Sequence, residues 1–105
     1  MVVKSAQRRA RTFKGVRFWV GAIGERMMIT LMTLQKGQAV GTHCHPNEQI
    51  GYCVSGRYTL TIDGKSTLVE QDDSYVIPGG ASHSYQVLDD AVAVEVFSPP
   101  REDYR

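Results

Sequence analysis

No stretch of this 105-residue sequence approaches eighteen consecutive apolar residues, which excludes a membrane-spanning helix. Cysteine is scarce. The two present, Cys44 and Cys53, cannot build a disulfide scaffold and fit no zinc-finger spacing, so both are expected as free thiols in a reducing cytoplasm. From Phe18 onward no convincing amphipathic helical period exists, which excludes a helix bundle. Acidic residues are missing from Met1 to Arg17, where six basic residues (Lys4, Arg8, Arg9, Arg11, Lys14, Arg17) stand unopposed. The other 88 residues hold six basic and eleven acidic groups, a net of −5. This start lacks the apolar core of a secretory signal. Basic arms can touch nucleic acid or an anionic membrane, but solvated or partner-packed tails are commoner, so neither nucleic acid nor membrane is expected as a partner. The length allows one core, and the expected division is a basic N-terminal arm over 1–17 and a single barrel domain over 18–105.

What is present is a succession of short strand patterns. Met27 to Leu34 is rich in Met, Ile, Thr and Leu and is closed by Gln35-Lys36-Gly37. Arg57 to Ile62 alternates Tyr58, Leu60 and Ile62 with Thr59 and Thr61, and Asp63-Gly64 supplies a type I′ hairpin signal into Ser66 to Val69. Ser74 to Ile77 runs into Pro78-Gly79-Gly80. Ser82 to Leu88 follows, with Asp89-Asp90 predicted to separate it from Ala91 to Phe97. Ser98-Pro99-Pro100 ends the sheet, because proline cannot donate to a ladder. Eight to ten short strands at this spacing predict an all-β sandwich or barrel.

The chemistry concentrates between Gly37 and Gly56. His43 and His45 are two residues apart, which on a strand puts both rings on one face, with Cα atoms roughly 6.5 Å apart. Two imidazoles can then converge on one ion. Cys44 faces away from them, whereas Cys53 shares the parity of His43. Glu48 falls on the other face and is expected in solvent, unless Pro46 interrupts the count. On the last strand, Val92, Val94 and Val96 form one face and Ala91, Ala93, Glu95 and Phe97 the other. The valine face is expected to be packed. Two alanines, an ionisable group and an aromatic suit a cavity wall carrying one acid/base, the alternative being a Glu95 exposed at a strand end.

These residues resemble the cupins. Gly37, His43-x-His45, Gln49 and Gly56 match the first cupin motif, with glutamine in the usual glutamate position, and Pro78-x-Gly80 followed by His83 matches the core of the second. Asp72 and Val87 depart from the second motif, where glycine and asparagine are usual. The resemblance implies a double-stranded β-helix, with one divalent transition metal ion (Zn, Ni, Fe, Mn or Cu) held by His43, His45, Gln49 and His83. All three histidines of the chain then stand at motif positions. A neutral ligand set leaves the ion its full charge and favours an anionic small-molecule substrate. Small cupins also commonly form homodimers, for which outer strands and the basic arm offer surfaces.

Glu48 to Gly56 and the ending Phe97 to Tyr104 are similar to small cupins that linearise 4,5-unsaturated monouronates from pectin and alginate. That likeness implies catalytic roles for Glu95 and Phe97 and a substrate-binding role for Arg101. The family carboxylate is aspartate, so Glu95 is longer by one methylene. A metal-dependent dioxygenase, or a non-catalytic sugar- or effector-binding module, would use the same scaffold.

Overall fold

The computed structural model describes residues 1–105. Eight strands form it: β1 (Arg9–Phe13), β2 (Val16–Ile23), β3 (Met28–Leu34), β4 (Ala39–His43), β5 (Glu48–Ile62), β6 (Lys65–Glu70), β7 (Ser74–Ile77) and β8 (His83–Ser98). Two short 3₁₀ turns, Ser5–Gln7 and Glu102–Tyr104, complete it. The class is all-β, as the turn and strand signals predict.

Strands β5 and β8 organise the barrel, pairing antiparallel from Glu48 against Ser98 to Ile62 against His83. Each belongs to two layers. The first half of β5 carries β7 on its free edge and the second half carries β6. The first half of β8 pairs with β4, and the second with β3, beyond which lie β2 and β1. This is the double-stranded β-helix, or jelly roll.

One strand, β8, runs through where the sequence predicts a break. Asp89 and Asp90 do not end a strand: Asp89 Oδ2 accepts from Arg57 Nε at 2.6 Å and Asp90 Oδ1 from the Lys36 amide at 2.8 Å. With these side chains occupied, the ladder continues through what reads locally as a turn. In β5 the inward parity changes instead. Gln49, Gly51 and Cys53 face inward before Gly56, and Tyr58 and Leu60 after it. One extra residue must be absorbed there, since a slip of one reverses every side chain. Gly56 absorbs it at φ +87°, where a Cβ would overlap Asp90 and Ala91 of β8. At the hairpin, Asp63 (φ 47°) and Gly64 (φ 83°) take the two positive dihedrals of the predicted type I′ turn.

Two further expectations are corrected. The basic start is not a separate arm: β1 pairs with β2 from Arg9↔Val20 to Phe13↔Val16. Val16, Phe18 and Val20 are buried, so the strands that carry the basic residues close the barrel. The valines of β8 are half-buried on the outer surface, while Ala91, Ala93, Glu95 and Phe97 face inward. The outer face of that sheet stays apolar, because the cross-strand row Ile29, Val96, Ile50, Val76 runs over it.

Candidate metal centre and substrate pocket

His43 ends β4 opposite His83, which begins β8, so register alone brings these two rings together. His45 lies beyond β4 in the loop to β5, not on the strand predicted to carry it; Pro46 follows it there. The ring still turns inward, with its centroid 4.9 Å from that of His83, and Cys44 is exposed between the pair. One nitrogen of each ring lies within 4.8 Å of the others.

The orientation of the three rings is set by the backbone. Nδ1 of His43 donates to Gly41 O at 2.9 Å, that of His45 to Asn47 O at 3.0 Å and that of His83 to Ala81 O at 2.9 Å. Each ring is thereby held as the tautomer with an unprotonated Nε2, the form in which neutral imidazole binds metal. Burial favours that neutral form. Desolvation lowers the pKa of His43 to about 4 and also lowers those of His45 and His83.

Gln49 reaches the same point from the inner face of β5. Its Oε1 stands 3.0 Å from His45 Nε2, while its Nε2 donates to Glu95 Oε2 at 2.9 Å and to the Tyr85 hydroxyl at 3.1 Å. Two lone pairs therefore face each other with no proton between them. His83 Nε2, buried, has no hydrogen-bond partner at all. Buried acceptors left unpaired are costly, and a cation bound by all four atoms would satisfy them together. The residues fit a metal ion.

Glu95 lies behind Gln49, 1% exposed. Its Oε1 accepts from Tyr75 Oη at 2.6 Å and, more loosely, from Tyr85 Oη at 3.4 Å. Desolvation outweighs these donors and raises its pKa to about 7. Both tyrosines have pKa values pushed well above the usual range by burial and by Glu95, so both keep the protons they donate. Glu48 points to solvent.

A pocket opens beside this group, lined by Glu95, Gln49, His43, Phe97, Arg101, Phe13 and Tyr104 among others. Arg101 is buried there beneath aromatic rings, its guanidinium 4.0 Å from the Tyr104 ring centre and 5.2 Å from that of Phe97. Asp103 occupies one edge of the guanidinium, accepting from Nε at 3.2 Å and Nη2 at 2.9 Å. Nη1 makes no protein hydrogen bond and remains available to a ligand anion. The N-terminal strand holds this end in place: Arg11 donates to the main-chain oxygens of Asp103, Tyr104 and Arg105, and Arg9 to that of Tyr104.

The structure thus gathers His43, Gln49, Glu95, Phe97 and Arg101 around one cavity, with His45 and His83 clustered on His43 beside it. Phe13, Tyr85 and Tyr104 also line it, Tyr75 and Asp103 hold Glu95 and Arg101, and none of these five is among the residues the sequence singles out. Tyr85 is legible by parity with His83, whereas Tyr75 and Phe13 depend on register and closure, which leave no local signal.

The fold is a β-barrel whose histidine cluster could hold a metal ion, and residues 30–98 match the cupin domain family model. The chain belongs to the cupin family. It is 27% identical over 93 residues to the pectin degradation protein KdgF of Dickeya dadantii (strain 3937), covering 86% of this chain and 84% of that protein. An RmlC-like cupin from Shewanella frigidimarina NCIMB 400 superposes with a TM-score of 0.90 at 22% identity, over 99% of this chain and 95% of that one. KdgF from Halomonas sp. superposes at 0.89, also 22% identical, over 100% and 98%.

Proposed function

We propose that this chain is a metal-dependent enzyme that opens 4,5-unsaturated monouronates to their linear keto forms. One observation carries the reading: a cluster of three histidines and Gln49 stands beside a pocket that His43, Gln49, a buried carboxyl and an arginine with a free Nη1 all line. The name of the Dickeya relative, a pectin degradation protein, agrees with it.

His43, His45, His83 and Gln49 would hold one divalent ion (Zn, Ni, Fe, Mn or Cu), which when bound supplies Lewis-acid polarisation of the sugar oxygens. Arg101 takes the sugar carboxylate, its Nη1 unoccupied and its other edge braced by Asp103. Glu95 accepts the proton of the C1 hydroxyl as the bond from C1 to the ring oxygen breaks, leaving an aldehyde at C1 and an enolate at C5. The same carboxyl returns the proton to C4, and the enolate becomes a ketone. Atoms balance, since the product is an isomer of the substrate. A carboxyl whose pKa is raised to about 7 suits transfer in both directions. Phe97 walls the pocket between His45 and Arg101, 5.6 Å from the first ring and 5.2 Å from the guanidinium.

The test is loss of the ring double bond's absorbance when metal-loaded protein meets an unsaturated monouronate. No loss with any of the five metals overturns the reading. Oxygen uptake by the iron-loaded protein would instead make it a dioxygenase.

The molecule acts as a homodimer in the cytoplasm, where Cys44 and Cys53 remain free thiols. The outer row Ile29, Val96, Ile50, Val76 supports the dimer, with Ile50 52% and Val76 51% exposed, because a two-fold axis can lay this flat apolar ladder against its own copy.

A further inference from the structure

We propose that Glu95, anchored by Tyr75, is a positioning residue that determines which atom of the Gln49 amide faces the histidines. This rests on the metal reading above but not on the uronate reading.

A glutamine amide is nearly symmetric in shape, and rotation by 180° exchanges its oxygen and nitrogen. Only neighbours choose between the two. Here Gln49 Nε2 meets two acceptors, Glu95 Oε2 at 2.9 Å and the Tyr85 hydroxyl oxygen at 3.1 Å. The reversed amide would set its oxygen against both, and the Tyr85 proton is directed elsewhere, to Glu95 Oε1. The carboxylate is in turn fixed from behind. Tyr75 donates to Oε1 at 2.6 Å, and Tyr58, 2.7 Å from the Tyr75 oxygen, supplies the proton that Tyr75 no longer offers it. Oε1 is occupied by tyrosine donors, so Oε2 is left for Gln49.

The path of Tyr75 to Glu95 runs over Gly51 of β5, the cross-strand partner of both residues. A Cβ at Gly51 would overlap the Tyr75 ring and the Glu95 carboxylate. A bare backbone at this position is what lets the phenol cross the strand. Glu95, with one methylene more than aspartate, is also long enough to meet the hydroxyl.

The consequence is specific. In Glu95→Gln the introduced oxygen stays with the tyrosine donors, and the introduced nitrogen then faces the nitrogen of Gln49, donor against donor. Turning the Gln49 amide relieves the clash and points its nitrogen at the metal position. A carboxyl that merely added charge would weaken cation binding without needing Gln49.

The experiment is titration of metal-free protein with Co²⁺, read by calorimetry and by the cobalt visible absorption. Glu95→Gln is expected to bind Co²⁺ about 10- to 100-fold more weakly than wild type, with an altered absorption band. In a Gln49→Ala background the same change is expected to cost at least tenfold less, because no amide remains to turn. Tyr75→Phe, which keeps the ring, should show a smaller loss with the same dependence on Gln49, and it provides the test if Glu95→Gln fails to fold. Unchanged Co²⁺ affinity in these variants, or an equal loss in both backgrounds, overturns the proposal alone. Failure of the wild type to bind Co²⁺ overturns it together with the metal reading.

Discussion

His45 Nε2 and Gln49 Oε1 stand 3.0 Å apart as two acceptors, because the proton of His45 is committed at Nδ1 to Asn47 O and the amide protons of Gln49 to Glu95 and Tyr85. A shared cation would resolve that opposition. His45→Ala is accordingly expected to abolish stoichiometric metal binding, measured by elemental analysis after dialysis. The fold should outlast the metal, since the larger core cluster, from Val16 to Ala93, contains no ligand residue. Chelation is expected to lower Tm by only a few degrees, unlike the unfolding seen when a zinc finger loses its ion. A cooperative collapse on chelation would contradict this.

Asp103 pairs with the Nε and Nη2 edge of Arg101 while Arg11 holds the Asp103 carbonyl oxygen at 2.9 Å. Asp103 therefore orients the guanidinium rather than competing for it. Asp103→Ala is expected to raise KM for the uronate by about tenfold with kcat nearly unchanged, the pattern of lost uniform binding. Arg101→Lys should be more damaging, because a point charge lacks the planar fork and the stacking on Tyr104. A fall in KM for Asp103→Ala would instead identify the aspartate as an internal competitor.

Much of this site is legible locally, and the remainder has a physical reason for being hidden. The three histidines and Gln49 stand at motif spacings, and the alternation from Ala91 to Phe97 puts Glu95 on one face with Ala91, Ala93 and Phe97 while leaving open whether it is covered or exposed at a strand end. The same alternation misplaces Val92, Val94 and Val96, since both faces of a strand can be apolar even where one lies half-buried on the outer surface. Asp89-Asp90 reads as a turn because the cross-strand arginine that neutralises it, Arg57, lies 32 residues away. The basic start reads as an arm because pairing of β1 with β2, and the grip of Arg11 on the C-terminal turn, are long-range events.

The exposed row across β3, β8, β5 and β7 leads to a test of assembly. Ile50 pairs with Val96 on one side and Val76 on the other, at the middle of the row. A charge there should be tolerated by the fold, whose core lies on the opposite face, but not by a desolvated two-fold interface. Ile50→Lys is expected to convert a dimeric mass in light scattering to a monomeric one with Tm little changed. A wild type that is already monomeric at micromolar concentration would end the dimer proposal.

Stability of the metal-free protein against pH sets the three histidines against Glu95. His43 has a folded pKa of about 4 against an ordinary 6.5, so between these values the unfolded chain binds more protons, and stability falls as pH is lowered from 6.5 to 4. His45 and His83, also lowered by desolvation, act in the same direction. Glu95 acts oppositely: its folded pKa is about 7 against 4.5, the folded state holds the extra proton, and stability rises as pH is lowered from 7 to 4.5. The wild type is therefore expected to lose Tm as pH falls from 6.5 to 4.5, by less than the three histidines alone would cause. Glu95→Gln removes only the opposing member. Its Tm should fall more steeply than that of wild type as pH drops through this window, under chelator and at constant ionic strength. Parallel profiles would mean that the Glu95 carboxyl titrates alike in the folded and unfolded chain, and the base assigned to this pocket would lose its raised pKa.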